Sequence, residues 1–462
     1  MRVAPVPCQW GGLDVTTDAT KPDARRHGGR RTVLMISRYF PPLYDVGGKR
    51  AYRFARHLPD HGWQPIVLTG AVPSGHPVDP TPLDLAAPVR VIRDYAPPWW
   101  RHRRSGLADG TRSDPIPAGN GGGVHRWLGA QATLPLKRDV LLAPRTALWA
   151  RRLARSTPID IVFATAPPWA VLVHGLAASR ATGAPLCLDL RDPWSLGFLH
   201  RDAARWVQCV ERAAEARLIA RADRVIFTCD DIAHAYRARF AAICPQHFAV
   251  IYNSFDPSLR PPPQPRPERP TIVHFGNCYG PRSLAPALRA ITALRGHGFA
   301  PQLRLLNLGR VLESDLRLAE QLGIRDCFEY RPMLPYTEGL RLLAGADLQL
   351  LFGYGDEPGY VPAKLFDYLL SGAPMLCIAH PSELTRLVEK TGSGHCAAPD
   401  EVQAIADIIA AAMSRQPGGT NARPTAAAIE RFSAPRTTAQ LARVFDEILV
   451  ERRKPRCSVA AE

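Results

Sequence analysis

Residues 257–270 hold seven prolines, and the chain on either side of them begins the same pattern twice. A stretch so rich in proline lacks backbone donors and cannot be an interior strand or helix. It reads as a semi-rigid interdomain linker of polyproline II character. Before it, Thr32-Val33-Leu34-Met35-Ile36-Ser37 is a continuous apolar run of the kind buried on both faces of a parallel sheet. A helical pattern follows, with Ala51, Phe54, Ala55 and Leu58 at i, i+3, i+4, i+7. Further strands are expected at 64–69, 89–92, 160–165, 185–190, 224–228 and 249–254, with helices at 169–180 and 203–221. After the linker, strands are expected at 271–276, 302–308, 326–330, 347–352 and 375–379. Strand, helix, strand repeated in this way gives parallel sheets. The predicted fold class is α/β, with two doubly wound halves joined by a hinge.

The domain boundaries follow: a disordered leader over 1–30, a first domain over 31–256, the linker, a second domain over 271–430, and a C-terminal helix and tail over 431–462. From 95 to 123 the order breaks into an irregular insertion carrying Trp99, Trp100, Arg101, Arg103 and Arg104. Tryptophans beside arginines suit a membrane interface; a mobile surface loop would look the same.

The 462 residues carry 58 Lys and Arg against 42 Asp and Glu, a formal charge of +16. That favours an anionic partner: a phosphorylated substrate, an anionic membrane surface or nucleic acid. No nucleic-acid motif accompanies the charge, so no nucleic acid is expected. Ten scattered cysteines include no C-x-x-C pair and read as reduced core residues of a cytoplasmic protein, with neither a disulfide frame nor a zinc site. No apolar run is long enough to cross a membrane.

The chemistry concentrates at three places with one design: strand, flexible loop, helix start, basic residue. They carry Gly47-Gly48-Lys49-Arg50, Arg282 and Lys364. Backbone N–H groups and the helix dipole point at one spot there, a cradle for phosphate; Gly47-Gly48 alone would equally suit a tight βα turn. The stretch 362–374 reads as a helix with an apolar stripe of Leu365, Phe366, Leu369 and Leu370. Lys364, Asp367 and Ser371 share its other side. A cation at a helix start is disfavoured by about 0.3–1 kcal/mol, and a bound anion would reverse that sign. Asp189-Leu190-Arg191-Asp192-Pro193-Trp194 sets two carboxylates and an arginine at the end of a strand, where α/β sheets place ligands. An Arg–Asp pair bracing the loop would give the same letters. Neither G-x-G-x-x-G, nor a Walker A loop, nor a zinc set is present.

In these stretches, together with Tyr39-Phe40-Pro41-Pro42, Thr165-Ala166-Pro167-Pro168 and Val250-Ile251-Tyr252-Asn253-Ser254-Phe255-Asp256-Pro257, the sequence resembles the GT-B glycosyltransferases of family 4, over residues 31–450. The resemblance implies a GT-B fold, two Rossmann-like domains facing across a cleft, with the acceptor on the first and a nucleotide-sugar donor on the second. It implies sugar transfer with retention and no cofactor or metal. Arg282 and Lys364 would neutralise the leaving diphosphate, with the Gly47-Gly48 backbone near the phosphates. Asp367 would hold ribose. Asp192, or else Asp189, would lie near the reacting sugar. Gly276, Asn277 and Arg331 complete the donor-side candidates. The first acidic residue of the family's paired motif is replaced by Gly359, with Glu357 out of register, and an expected arginine is Asn277.

The expected acceptor is a lipid-linked or polysaccharide-type glycan, met in the cytoplasm or peripherally at the inner membrane face, in surface glycan biosynthesis. A GT-B nucleotide-sugar epimerase, or a degenerate GT-B protein binding a glycan or partner without catalysis, are the alternatives.

Overall fold

The computed structural model describes residues 30–42, 46–71, 89–95, 138–197, 200, 203–279, 282–296, 303–353, 360–414 and 423–453. The leader over 1–29, the tryptophans and arginines of 99–104, and positions 357 and 359 lie outside them.

Strands β1 (Arg31–Ser37), β2 (Trp63–Leu68), β3 (Arg90–Ile92), β4 (Ile161–Ala166), β5 (Leu186–Leu190), β6 (Arg224–Phe227) and β7 (Phe248–Val250) build one parallel sheet in the order β3-β2-β1-β4-β5-β6-β7. A second parallel sheet, in the order β10-β9-β8-β11-β12-β13, is built from β8 (Thr271–Phe275), β9 (Arg304–Leu308), β10 (Phe328–Arg331), β11 (Leu348–Phe352), β12 (Met375–Ile378) and β13 (Gly394–Ala397). This is the GT-B architecture. The central strands are buried end to end, as continuous apolar runs require. The eight described cysteines are free thiols. Among the described residues, no helix is long and apolar enough to cross a membrane.

The proline-rich stretch leaves the first sheet at a hinge where Phe255 pairs with returning chain. Phe255 N donates to Phe432 O at 3.0 Å, and Ala434 N donates to Phe255 O at 2.8 Å. The final helix, Ala434–Arg453, then packs on the first sheet and not on the half that precedes it. Phe445 is fully buried, 5.1 Å from the Trp63 ring and 5.8 Å from the Phe163 ring. Leu441 and Ile448 share the same buried cluster with Val33 and Met35 of β1.

Candidate active site

Sheet order reverses between β1 and β4 in one half and between β8 and β11 in the other. Crevices beyond the carboxyl ends of strands at such reversals are the natural binding places of open α/β sheets.

In the second half, β8 turns at Gly276, whose φ of +149° favours glycine. A Cβ there would overlap Lys364 Nζ, so the lysine fills the space that glycine leaves. The Lys364–Ser371 helix brings this side chain in, and Gly372, at φ +75°, ends the helix in a left-handed cap. Lys364 Nζ lies 3.2 Å from His274 Nε2. His274 Nδ1 lies 2.6 Å from Asn307 Oδ1, and Asn307 Nδ2 donates to Gly309 O at 2.8 Å. With the amide nitrogen committed to a carbonyl, Oδ1 faces the ring; Nδ1 then carries the proton and Nε2 is the acceptor. Burial holds the His274 imidazole well below its usual range, so it is neutral. Burial, and after it the charge of Arg282, lower the Lys364 amine to about 7 against the opposing pull of Cys278 and Asp367.

Arg282 donates to Tyr279 Oη at 2.8 Å, and its guanidinium lies 4.8 Å from the Tyr279 ring centre and 5.8 Å from that of Tyr360. Asp192 reaches this group from the first half. It is hydrogen-bonded to Tyr360; burial raises its carboxyl above the usual range, against the pull of Arg191 and Arg282. Arg191 fixes the loop by donating to the carbonyls of Gly47, Ala166 and Pro167. Asp192, Arg282 and Lys364 therefore come together, and each half supplies part of the set.

One turn along the helix, Asp367 Oδ1 accepts from Tyr336 Oη at 2.5 Å and from Arg53 at 3.4 Å, while Lys49 Nζ lies 3.7 Å from Oδ2. Lys49 also sits 3.4 Å from the Tyr336 ring centre. Arg53 and Lys49 belong to the Val46–His57 helix of the first half, so this carboxylate is held from across the cleft.

Other expectations meet a different geometry. Gly47 and Gly48 are not a loop before the helix but part of its first turn, since the helix begins at Val46. Gly48 packs against the Phe40 backbone, where a Cβ would lie 3.4 Å from its nitrogen, at the edge of ordinary contact. Arg50 is no phosphate ligand; it makes a buried two-pronged ion pair with Asp189 at 3.0 and 2.8 Å and donates to the carbonyls of Ile251 and Tyr252. Asp189 is fully buried, with Thr165 donating to it at 2.6 Å, so it braces the sheet and does not face the cleft. Arg331 stands on the edge strand β10, exposed and paired with Glu329 at 2.6 Å. Asn277 Oδ1 accepts from Arg310 N at 2.9 Å and ties the turns after β8 and β9 together. Ser371 bonds inward to Gln349 at 2.8 Å. Among the described residues, no cluster of His, Cys, Asp and Glu could hold a metal ion.

His274, Asn307, Tyr279, Tyr336, Tyr360 and Arg53 are not among the candidates taken from sequence. A signal exists for two of them: His274 and Asn307 are polar residues inside strands that are otherwise apolar.

Residues 47–259 match the family model described as Glycosyltransferase Family 4. The fold is similar to that of sucrose-phosphate synthase from Thermosynechococcus elongatus, at TM-score 0.60 and 15% identity over 91% of this chain and 100% of that one. It is also similar to a glycosyltransferase from Rickettsia africae, at TM-score 0.61 and 12% identity over 91% and 99%. A third likeness is to the lipopolysaccharide outer core galactosyltransferase WaaB, at TM-score 0.53 and 12% identity over 91% and 99%. No curated protein matches the chain by sequence.

Proposed function

We propose that this GT-B glycosyltransferase, with its Glycosyltransferase Family 4 domain over residues 47–259, transfers a sugar from a nucleotide-sugar donor with retention of configuration and without a metal. The observation that carries the reading is the meeting of Asp192 from one half with Arg282 and Lys364 from the other, at the reversal points of two facing sheets. As the glycosidic bond breaks, negative charge grows on the leaving diphosphate. Fixed cations aimed at that position stabilise it without solvent reorganisation. Arg282 supplies a permanent charge. Lys364 supplies one that is completed when an anion arrives, because its amine, at about 7, gains a proton most readily beside a phosphate. Asp192 stands beside the reacting sugar and orients it or its acceptor. Asp367, now held by Tyr336, Arg53 and Lys49, exchanges these partners for ribose hydroxyls.

The acceptor we infer is a lipid-linked or polysaccharide-type glycan of surface glycan biosynthesis, reached in the cytoplasm or from the inner membrane face. The +16 charge supports it, since a basic protein concentrates at anionic surfaces. The test is a thermal-shift screen of UDP, GDP and ADP with their sugars, in EDTA, on the wild type and Lys364→Ala. A ligand at 100 times its Kd stabilises by about 2.7 kcal/mol. One nucleotide shifting the wild type and not the variant is the expected result. No shift with any nucleotide would overturn the donor assignment.

A further inference from the structure

Lys364 is the one lysine of the Lys364–Ser371 helix; it is half-buried, and its amine joins a polar chain formed by strands β8 and β9. A lysine that served only as a surface charge would lie out in solvent with its stem on the protein. Three features act together to hold it inward. Gly276 leaves room for the amine and for nothing larger than a hydrogen on its own Cα. His274 presents an unprotonated Nε2 at 3.2 Å. Asn307 fixes that tautomer from behind at 2.6 Å and is itself fixed by Gly309 O. Cys278 Sγ closes the chain, 3.7 Å from Asn307 Oδ1 and 3.9 Å from His274 Nδ1.

We propose that His274 and Asn307 are positioning residues for the donor diphosphate: Asn307 sets the His274 tautomer, and His274 Nε2 holds the Lys364 amine over Gly276, where a phosphate would meet it. The proposal rests on the donor-site reading given above. Neither residue touches the ligand. His274 accepts a hydrogen bond from the ammonium and so favours its charged form. Among the described residues, the groups facing the amine are His274, Arg282, Cys278 and Asp367, and of these Arg282 repels the proton. Burial and Arg282 already bring the amine to about 7, so losing the imidazole acceptor lowers it further, and nucleotide binding fails at a lower pH than in the wild type.

The experiment has two independent readouts. Imidazole nitrogen NMR of His274 in the ligand-free protein, from pH 5.5 to 8.5, is expected to show an Nδ1–H ring that does not titrate, and Asn307→Leu, which removes the acceptor of Nδ1–H, is expected to abolish the preference for that tautomer. A ring protonated on Nε2, or one titrating near its ordinary value, would overturn the relay whether or not the chain binds nucleotide. Second, dissociation constants for UDP, GDP and ADP are measured from pH 6 to 9. In His274→Leu the alkaline loss of binding is expected about one pH unit earlier, so that affinity at pH 8 falls about tenfold while affinity at pH 6 is nearly kept. His274→Gln, which still offers an acceptor oxygen, is expected to restore most of it and also covers a failure of the leucine variant to fold. Equal weakening at every pH would mean a merely structural role and would overturn the proposal. If the wild type binds none of the three nucleotides, the donor-site reading falls, and the NMR result then decides the relay on its own.

Discussion

Glu383 and Asp231 cap each other's helices across the two halves of the molecule. The Glu383 carboxylate accepts from the backbone nitrogens of Asp230 and Asp231 at 3.0 and 2.7 Å, at the start of the Asp230–Arg239 helix. Asp231 Oδ2 accepts in return from Glu383 N at 3.2 Å, at the start of the Glu383–Thr391 helix. Each anion sits where the partner's dipole and unsatisfied N–H groups want one. Tyr252 Oη lies 2.5 Å from Glu383 Oε1 and 2.8 Å from Asp230 Oδ2, with one proton between them. Burial and these two carboxylates raise its phenol well above the usual range. The pair lies beside the hinge, since Tyr252 also meets the Phe432 ring edge-on at 5.4 Å.

Glu383→Ala is expected to cost about 1–2 kcal/mol, the loss of a cap from a helix of the opposite half. Urea unfolding of the two single variants and of Glu383→Ala with Asp231→Ala measures it. The double variant should cost less than the sum, because each single variant leaves orphaned partners. Strict additivity would mean that the two caps are independent.

The proposed donor site gives nucleotide binding a pH dependence through Lys364, with a defined sign. Its folded-state value, about 7, lies below the ordinary 10.5, so the folded, ligand-free chain binds fewer protons than the unfolded chain between those values. Stability from this group therefore rises as pH goes from about 7 towards 10.5 and is lost as pH falls. Binding of a phosphate restores the charge, so affinity is expected to be flat below about pH 7 and to weaken above it by up to about tenfold per unit. Calorimetry at pH 8 in buffers of different ionisation enthalpy should show proton uptake on binding, absent in Lys364→Ala. Proton release would contradict the assignment.

Asp192 and Asp189 stand three residues apart and are expected to fail in different ways. Asp192→Asn should keep the wild-type melting temperature within a few degrees and lose about 100-fold or more in turnover. Asp189→Asn leaves Arg50 charged and buried without its partner, and should cost about 3–5 kcal/mol, while the molecules still folded keep near-normal turnover. Thermal unfolding beside initial rates separates the two. A stable, inactive Asp189→Asn would return that residue to the cleft.

Phe445 is the anchor of the final helix on the first sheet. Phe445→Ala is expected to destabilise the first half by about 3–5 kcal/mol through lost burial and the cavity left between Trp63 and Phe163. Hydrogen exchange should show the effect in β1 and β2. Faster exchange confined to the second sheet would contradict the packing.

The parallel sheets are legible in the sequence because strands buried on both faces need unbroken apolar runs, as in Val33-Leu34-Met35-Ile36. The Lys364–Ser371 helix is legible for a similar reason: its apolar stripe and Gly372 leave little choice. Its polar side is harder. Lys364, Asp367 and Ser371 share a face by spacing, yet Ser371 turns to Gln349 and Asp367 is gripped by Arg53 and Lys49, and spacing along one helix says nothing about what stands opposite. Asp189 and Asp192 look equivalent until strand geometry points Asp189 into the sheet, where Arg50 waits. Asp192, Arg282 and Lys364 each stand in a local pattern of their own, whereas Tyr279, Tyr336 and Tyr360 carry no local signal. The destination of the final helix is likewise invisible: its apolar face fits any sheet.

The return of residues 434–453 to the first sheet sets an order for the making of the protein. A ribosome delivers β1 to β7 early, and the Val46–His57 helix covers part of the surface of Val33, Met35, Trp63 and Phe163 through Phe54, but the rest stays open until residues 434–453 emerge. The first half is therefore completed last, after the second sheet has been synthesised between its two pieces. A nascent or truncated chain ending before residue 434 leaves Trp63 and Phe163 without their Phe445 contact, an apolar gap of the kind that chaperones hold and that neighbouring chains stick to.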